Sequence, residues 1–122
     1  MPKYFIQASL SLDGLRGFAK EGGTARRAAF REAVEGMGGK LETYYFCFGE
    51  NDVMTVIDMP DNVSAAAISV AVALTGAVKP KITVLITPEE MDLAVKKKVK
   101  FRGPGQVTLR SLTGITSFSP DQ

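Results

Sequence analysis

Apolar and polar positions along this chain follow two rhythms, one of period two and one of three-and-four, and their order sets the expected fold. Lys3 to Leu10 alternates, with Tyr4, Ile6, Ala8 and Leu10 on one face and Phe5, Gln7 and Ser9 on the other, which predicts a first strand. Ser11 to Glu21 predicts a weak helix, capped by Ser11 or Asp13, diluted by Gly14 and Gly17 and stopped at Gly22-Gly23. Thr24 then offers an N-cap to a stronger helix. Its apolar stripe is Ala29, Phe30, Ala33, Val34 and Met37, with Arg27, Arg31 and Glu35 on the outer side and Gly38-Gly39 at its end.

Lys40 to Phe48 predicts a second strand that is apolar on both faces, Leu41, Tyr45 and Cys47 on one and Tyr44, Phe46 and Phe48 on the other. The turn Gly49-Glu50-Asn51-Asp52 joins it to a third strand, Val53 to Asp58, in a hairpin. Pro60-Asp61-Asn62 opens a helix that ends near Gly76 and is apolar almost all round, so it needs more than one packing partner. Lys81 to Ile86 alternates again as strand four. Thr87-Pro88-Glu89-Glu90 is a capping box for a short helix that Lys96, Lys97 and Lys98 close with cations at its negative end.

The order βαββαβ predicts an α+β fold of ferredoxin-like plan, an antiparallel sheet with both main helices on one face. The other face would then be bare. Because the first two strands are apolar on both sides, that bare face exceeds what soluble monomers usually expose, and a second copy packed against it, as a dimer or a larger ring, is the expected solution. Residues 1–100 are expected to form this domain. Residues 101–122 read as a tail whose Val107, Leu109, Leu112, Ile115 and Phe118 are too few for a second core, expected to lie on a neighbouring subunit or to be partly disordered.

A set of short stretches resembles the GYD-domain family in order and spacing. They are Pro2-Lys3-Tyr4-Phe5-Ile6, Lys20-Glu21-Gly22-Gly23-Thr24-Ala25-Arg26-Arg27, Gly38-Gly39-Lys40-Leu41, Tyr45, Phe48-Gly49, Asp52-Val53, Leu85 and Thr87-Pro88-Glu89-Glu90. The resemblance implies a ferredoxin-like, dimeric α+β-barrel type of fold over roughly residues 1 to 105, and it implies no particular activity. Where the family's glycine-tyrosine-aspartate motif is expected, this sequence reads Gly49-Glu50-Asn51-Asp52, with Asn51 in the place of the tyrosine.

Charge changes this picture little. The net charge of +2 divides into nine basic and twelve acidic residues over 1–92, and six basic and one acidic over 93–122. That basic end reads as a solvated helix terminus, and strand three lacks the aromatics that RNA-recognition modules stack on bases, so no nucleic-acid partner is expected. The apolar run Val63 to Val78 falls short of the ~20 residues of a membrane span. A single cysteine, Cys47, and a start without the order of a secretory signal point to a cytoplasmic location.

Chemistry is narrowed by the absence of histidine, which excludes Ser-His-Asp and Cys-His arrangements, His-ligated haem and the usual zinc sites. No cofactor or metal is expected. Cys47 reads as an inert thiol, and Glu50, Asp52 and Asp58 match no metal-ligand loop. Candidate ligand-binding residues are Gly22, Gly23, Thr24, Arg26 and Arg27, a glycine turn feeding a helix N-terminus with two cations suited to an anionic small molecule, together with Tyr44, Tyr45 and Asp52. Three functions follow: an oligomeric ligand-binding or accessory protein, a cofactor-independent enzyme in which Tyr44 or Tyr45 works with Asp52, or a structural assembly unit.

Overall fold

The computed structural model describes residues 1–105, and the tail expected beyond Phe101 lies for the most part outside them. Two compact units divide the chain, Met1–Thr87 and Pro88 onward. In the first, β1 (Lys3–Leu10), α1 (Leu12–Glu21), α2 (Gly23–Gly36), β2 (Lys40–Phe46), β3 (Val53–Asp58), α3 (Asn62–Leu74) and β4 (Val78–Leu85) follow in that order. The second contains α4 (Pro88–Val95), the helix expected after the Thr87-Pro88 signal.

The fold of the first unit is α+β. Its four strands form one antiparallel sheet in the order β2-β3-β1-β4, with β1 central and paired to β3 and β4, an arrangement compatible with the ferredoxin-like plan. Tyr4 and Ile6 of β1, Leu41 of β2 and Ile57 of β3 meet Val34 of α2 and Ala65 and Ile68 of α3 in one core cluster, completed by Met59. Partly buried Phe30, Tyr44, Val72 and Ile82 pack around it. Helices α2 and α3 thus pack on one face of the sheet, the face that carries Tyr4, Ile6, Leu41 and Ile57.

Four readings of the sequence are corrected here. β2 does not alternate evenly: a bulge between Leu41 and Thr43 inserts one residue, so Leu41 opposes Ile57 while Tyr44 opposes Thr55 and Phe46 opposes Val53. Leu41, Tyr44 and Phe46 therefore share the helix-side face, and Tyr45 stands on the other. The hydroxyl of Thr55 donates to the Thr43 carbonyl at 2.6 Å and the Val56 amide donates to Thr43 Oγ1 at 3.2 Å, which provides partners for backbone groups that the bulge displaces. The second helix begins directly after Gly22, whose φ of 92° turns the chain sharply, so Gly22 and not Thr24 is its N-cap. Of that helix's expected stripe only Phe30 and Val34 turn inward, while Ala29 and Ala33 are exposed. β4 starts three residues early and includes Pro80, tolerated because β4 is an edge strand that has no neighbour to receive the missing N–H.

Helix α3 is capped by Asp61, whose Oδ1 accepts the Ser64 amide at 2.8 Å. Only Ala65 and Ile68 are fully buried; Val63, Val70 and Leu74 are exposed on its outer side.

Candidate functional site

Helix α1 lies over the sheet without closing on it. Its spacing places Asp13, Gly14, Gly17, Phe18 and Glu21 on one stripe at intervals of three and four, and that stripe carries one large apolar side chain, Phe18. An ordinary amphipathic helix would fill this position with leucines. A cavity of about 310 Å³ lies between sheet and helices, with this stripe on its lining.

The floor of the cavity is the helix-side face of the sheet: Ile6, Ala8 and Leu10 of β1, Tyr44 and Phe46 of β2, Val53 and Thr55 of β3, and Val78 and Pro80 of β4. The walls are the α1 stripe, Arg26 and Phe30 of α2, and Ile68, Ser69 and Val72 of α3. A row of four rings crosses it. Phe18 stacks on Phe46 with centroids 4.5 Å apart, Phe46 meets Tyr44 edge-on at 5.6 Å, and Tyr44 tilts against Phe30 at 5.8 Å.

Arg26 is the one cation on this lining. It sits four residues before Phe30 and eight before Val34, on the inward stripe of α2, so the helix turns it toward the sheet and leaves it half-buried. Its Nη1 lies 3.3 Å from Glu21 Oε2, in an ion pair whose side chains are 40% and 49% exposed and whose contribution is accordingly small. Burial pushes the Tyr44 phenol above the ordinary tyrosine range, and the neighbouring Arg26 charge opposes that rise. Tyr44 is therefore protonated at neutral pH and can donate a hydrogen bond.

The residues expected from the sequence divide accordingly. Arg26 and Tyr44 come together on the cavity. Gly22 and Gly23 lie at the joint of α1 and α2: the Gly22 amide donates to the Phe18 carbonyl at 2.7 Å, and a Cβ on Gly23 would approach the Phe46 ring to 2.9 Å. Thr24 and Arg27 are exposed and are not on the lining. Tyr45 is 68% exposed on the opposite sheet face.

Asp52 also stands away from the cavity. Its Oδ2 accepts the Leu10 amide at 2.8 Å, its amide donates to the Ala8 carbonyl, and its carbonyl accepts the Cys47 amide, each at 2.9 Å. It fastens the hairpin turn to the end of β1. Gly49 of the same turn has a φ of 131°, which favours glycine. Cys47 donates its thiol to the Asn51 carbonyl at 3.1 Å.

Sequence reasoning missed the α1 stripe and Phe30 and Phe46 as lining residues. The signal was present: Asp13, Gly14, Gly17, Phe18 and Glu21 have helical spacing, and Arg26 has the phase of Phe30. Among the described residues no cluster of three or more histidine, cysteine, aspartate or glutamate side chains is placed to hold a metal ion, and no helix is long and apolar enough to cross a membrane.

An antiparallel four-stranded sheet with helices packed on it over a partly open apolar cavity makes this an α+β protein, compatible with the split-βαβ plan. Residues 4–95 match the family model of the GYD domain, and the chain belongs to that family. Comparison with curated proteins and with solved structures finds no match.

Proposed function

We propose that this protein binds a small organic acid in the cavity between sheet and helices, with the acid's carboxylate at Arg26 and its apolar body against the floor. The observation that carries this reading is a half-buried arginine beside a protonated tyrosine on the wall of an otherwise largely apolar space. Glu21 holds Arg26 only through an exposed pair, so a ligand carboxylate that makes two parallel hydrogen bonds to the guanidinium can displace it. Tyr44 supplies a further donor. The space, about 310 Å³, corresponds to roughly ten waters and suits a compact ligand.

The test is calorimetric titration of hexanoate against hexanol. Hexanoate is expected to bind the wild type, Arg26→Gln to weaken it at least about tenfold, as loss of a hydrogen bond to a charged group does, and hexanol to bind weakly throughout. Equal binding of the acid and the alcohol would refute the reading.

A cofactor-independent enzyme is the second reading, and the roomy cavity with Asp13 and Glu21 on its lining favours it. The acid–base groups are then Tyr44 with a lining carboxylate, Asp13 or Glu21, since Asp52 is bound to the Leu10 amide and Tyr45 faces away. One of Asp13→Asn and Glu21→Gln would then abolish turnover while leaving binding intact. A purely structural unit would be expected to have this space filled.

Self-association completes the proposal. The sheet face opposite the helices carries Phe5, Tyr45, Met54 and Val56 in adjacent registers, and a second copy packed face to face would bury them in a dimeric α+β barrel. The exposed apolar side of α3 suits a further subunit contact. A lone thiol engaged with its own turn suits a cytoplasmic, reducing setting.

A further inference from the structure

Two glycines occupy the interior of α1, and their reasons for being glycine differ. Neither has a positive φ, so backbone geometry requires glycine at neither place. At Gly14 a Cβ would collide with the Ala77 carbonyl oxygen, the same oxygen that accepts the Ser11 amide at 2.9 Å. Close packing of α1 on the α3–β4 connection accounts for Gly14.

At Gly17, apart from its chain neighbours and the helix's own backbone, no atom of the described residues lies within 4 Å of the position a Cβ would take. Gly17 nevertheless lies on the cavity lining and is solvent-exposed, which places it at the opening of the cavity, with Asp13 and Glu21 one turn to either side on the same stripe. A glycine in mid-helix weakens the helix relative to alanine, and among the described residues neither a close contact nor a positive φ requires one here.

Resting on the acid-binding reading above, we infer that Gly17 determines how large an acid the cavity admits. A side chain at this position projects into the opening between α1 and the sheet, so each added carbon shortens or narrows the body of the ligand that fits. Arg26 grips the carboxylate whatever the length of the body. Gly17 is thus a specificity-determining residue, and Arg26 determines affinity for the acid group as a class.

The experiment titrates straight-chain monocarboxylates from butanoate to decanoate, and the matching alcohols, into wild type, Gly17→Ala, Gly17→Leu and Arg26→Gln. Gly17→Leu is expected to weaken the longest acids by roughly tenfold or more and the shortest less than about twofold, so the preferred length falls, with Gly17→Ala intermediate. Arg26→Gln is expected to weaken all lengths by a similar factor. If acids bind and both Gly17 variants change every length by the same factor, the size inference is overturned while acid binding stands. If acids bind no better than alcohols, the binding reading itself fails and takes this inference with it. Should Gly17→Leu not fold, Gly17→Ala, which favours the helix, still decides by the length dependence of its affinities.

Discussion

Phe18 of α1 lies stacked on Phe46 of β2, centroids 4.5 Å apart and planes 21° from parallel. The pair ties a helix that has no fully buried residue to the edge of the sheet, and it forms one side of the cavity. Phe18→Ala is expected to lose about 0.5–1.5 kcal/mol of pairing energy in addition to buried area, and to leave α1 less protected than β1 in hydrogen exchange. Unchanged protection of α1 would show that the stack does not hold it.

The glycines of α1 give a paired prediction from one substitution. Gly14→Ala is expected to destabilise by about 1–3 kcal/mol, because the Ala77 carbonyl oxygen blocks the new Cβ. Gly17→Ala is expected to stabilise by about 0.5–1 kcal/mol, because the helix gains propensity and no neighbouring atom of the described residues stands in the way. Urea melts of the two variants measure both, and effects of the same sign would contradict the geometry.

Tyr44 gives a pH dependence. Its folded pKa is raised above the unfolded value, first by burial, with the Arg26 charge acting the other way. The neutral phenol's contribution to stability is therefore fully present below the unfolded tyrosine pKa of about 10 and is lost as pH rises through the folded value. Stability should fall in alkali, and Tyr44→Phe should make that fall shallower. Arg26→Gln, by removing the opposing charge, should move the phenolate absorbance transition of Tyr44 to still higher pH, read as the difference from the Tyr44→Phe background.

How much of this could be read beforehand depends on where tertiary packing intervenes. The order of strands and helices was legible because β1 alternates cleanly and the Asp61 and Pro88 starts carry strong local signals. The faces of β2 were not, since a bulge between Leu41 and Thr43 leaves no trace in a pattern that is apolar on both sides. Arg26 and Tyr44 were legible as candidates. Their meeting was not, and neither was the role of Asp52, because a turn carboxylate that binds a backbone amide has the same local sequence as one that faces a ligand.

The open sheet face gives a prediction on assembly. Tyr45→Lys with Val56→Lys places two cations among Phe5, Met54 and one another, where a second sheet would have to desolvate them. Light scattering is expected to show the wild type above monomer mass and the double variant shifted toward the monomer. A wild type that remains monomeric at high concentration would contradict the face-to-face assembly.

Whether the space between sheet and helices holds a small acid by Arg26 is read from a two-dimensional amide NMR titration with hexanoate. Saturable shifts are expected at Gly17, Phe18, Tyr44 and Phe46, and in Arg26→Gln the same shifts should need at least about ten times more hexanoate. Shifts confined to the opposite sheet face around Tyr45 and Met54, or no shifts at all, would contradict acid binding in this space.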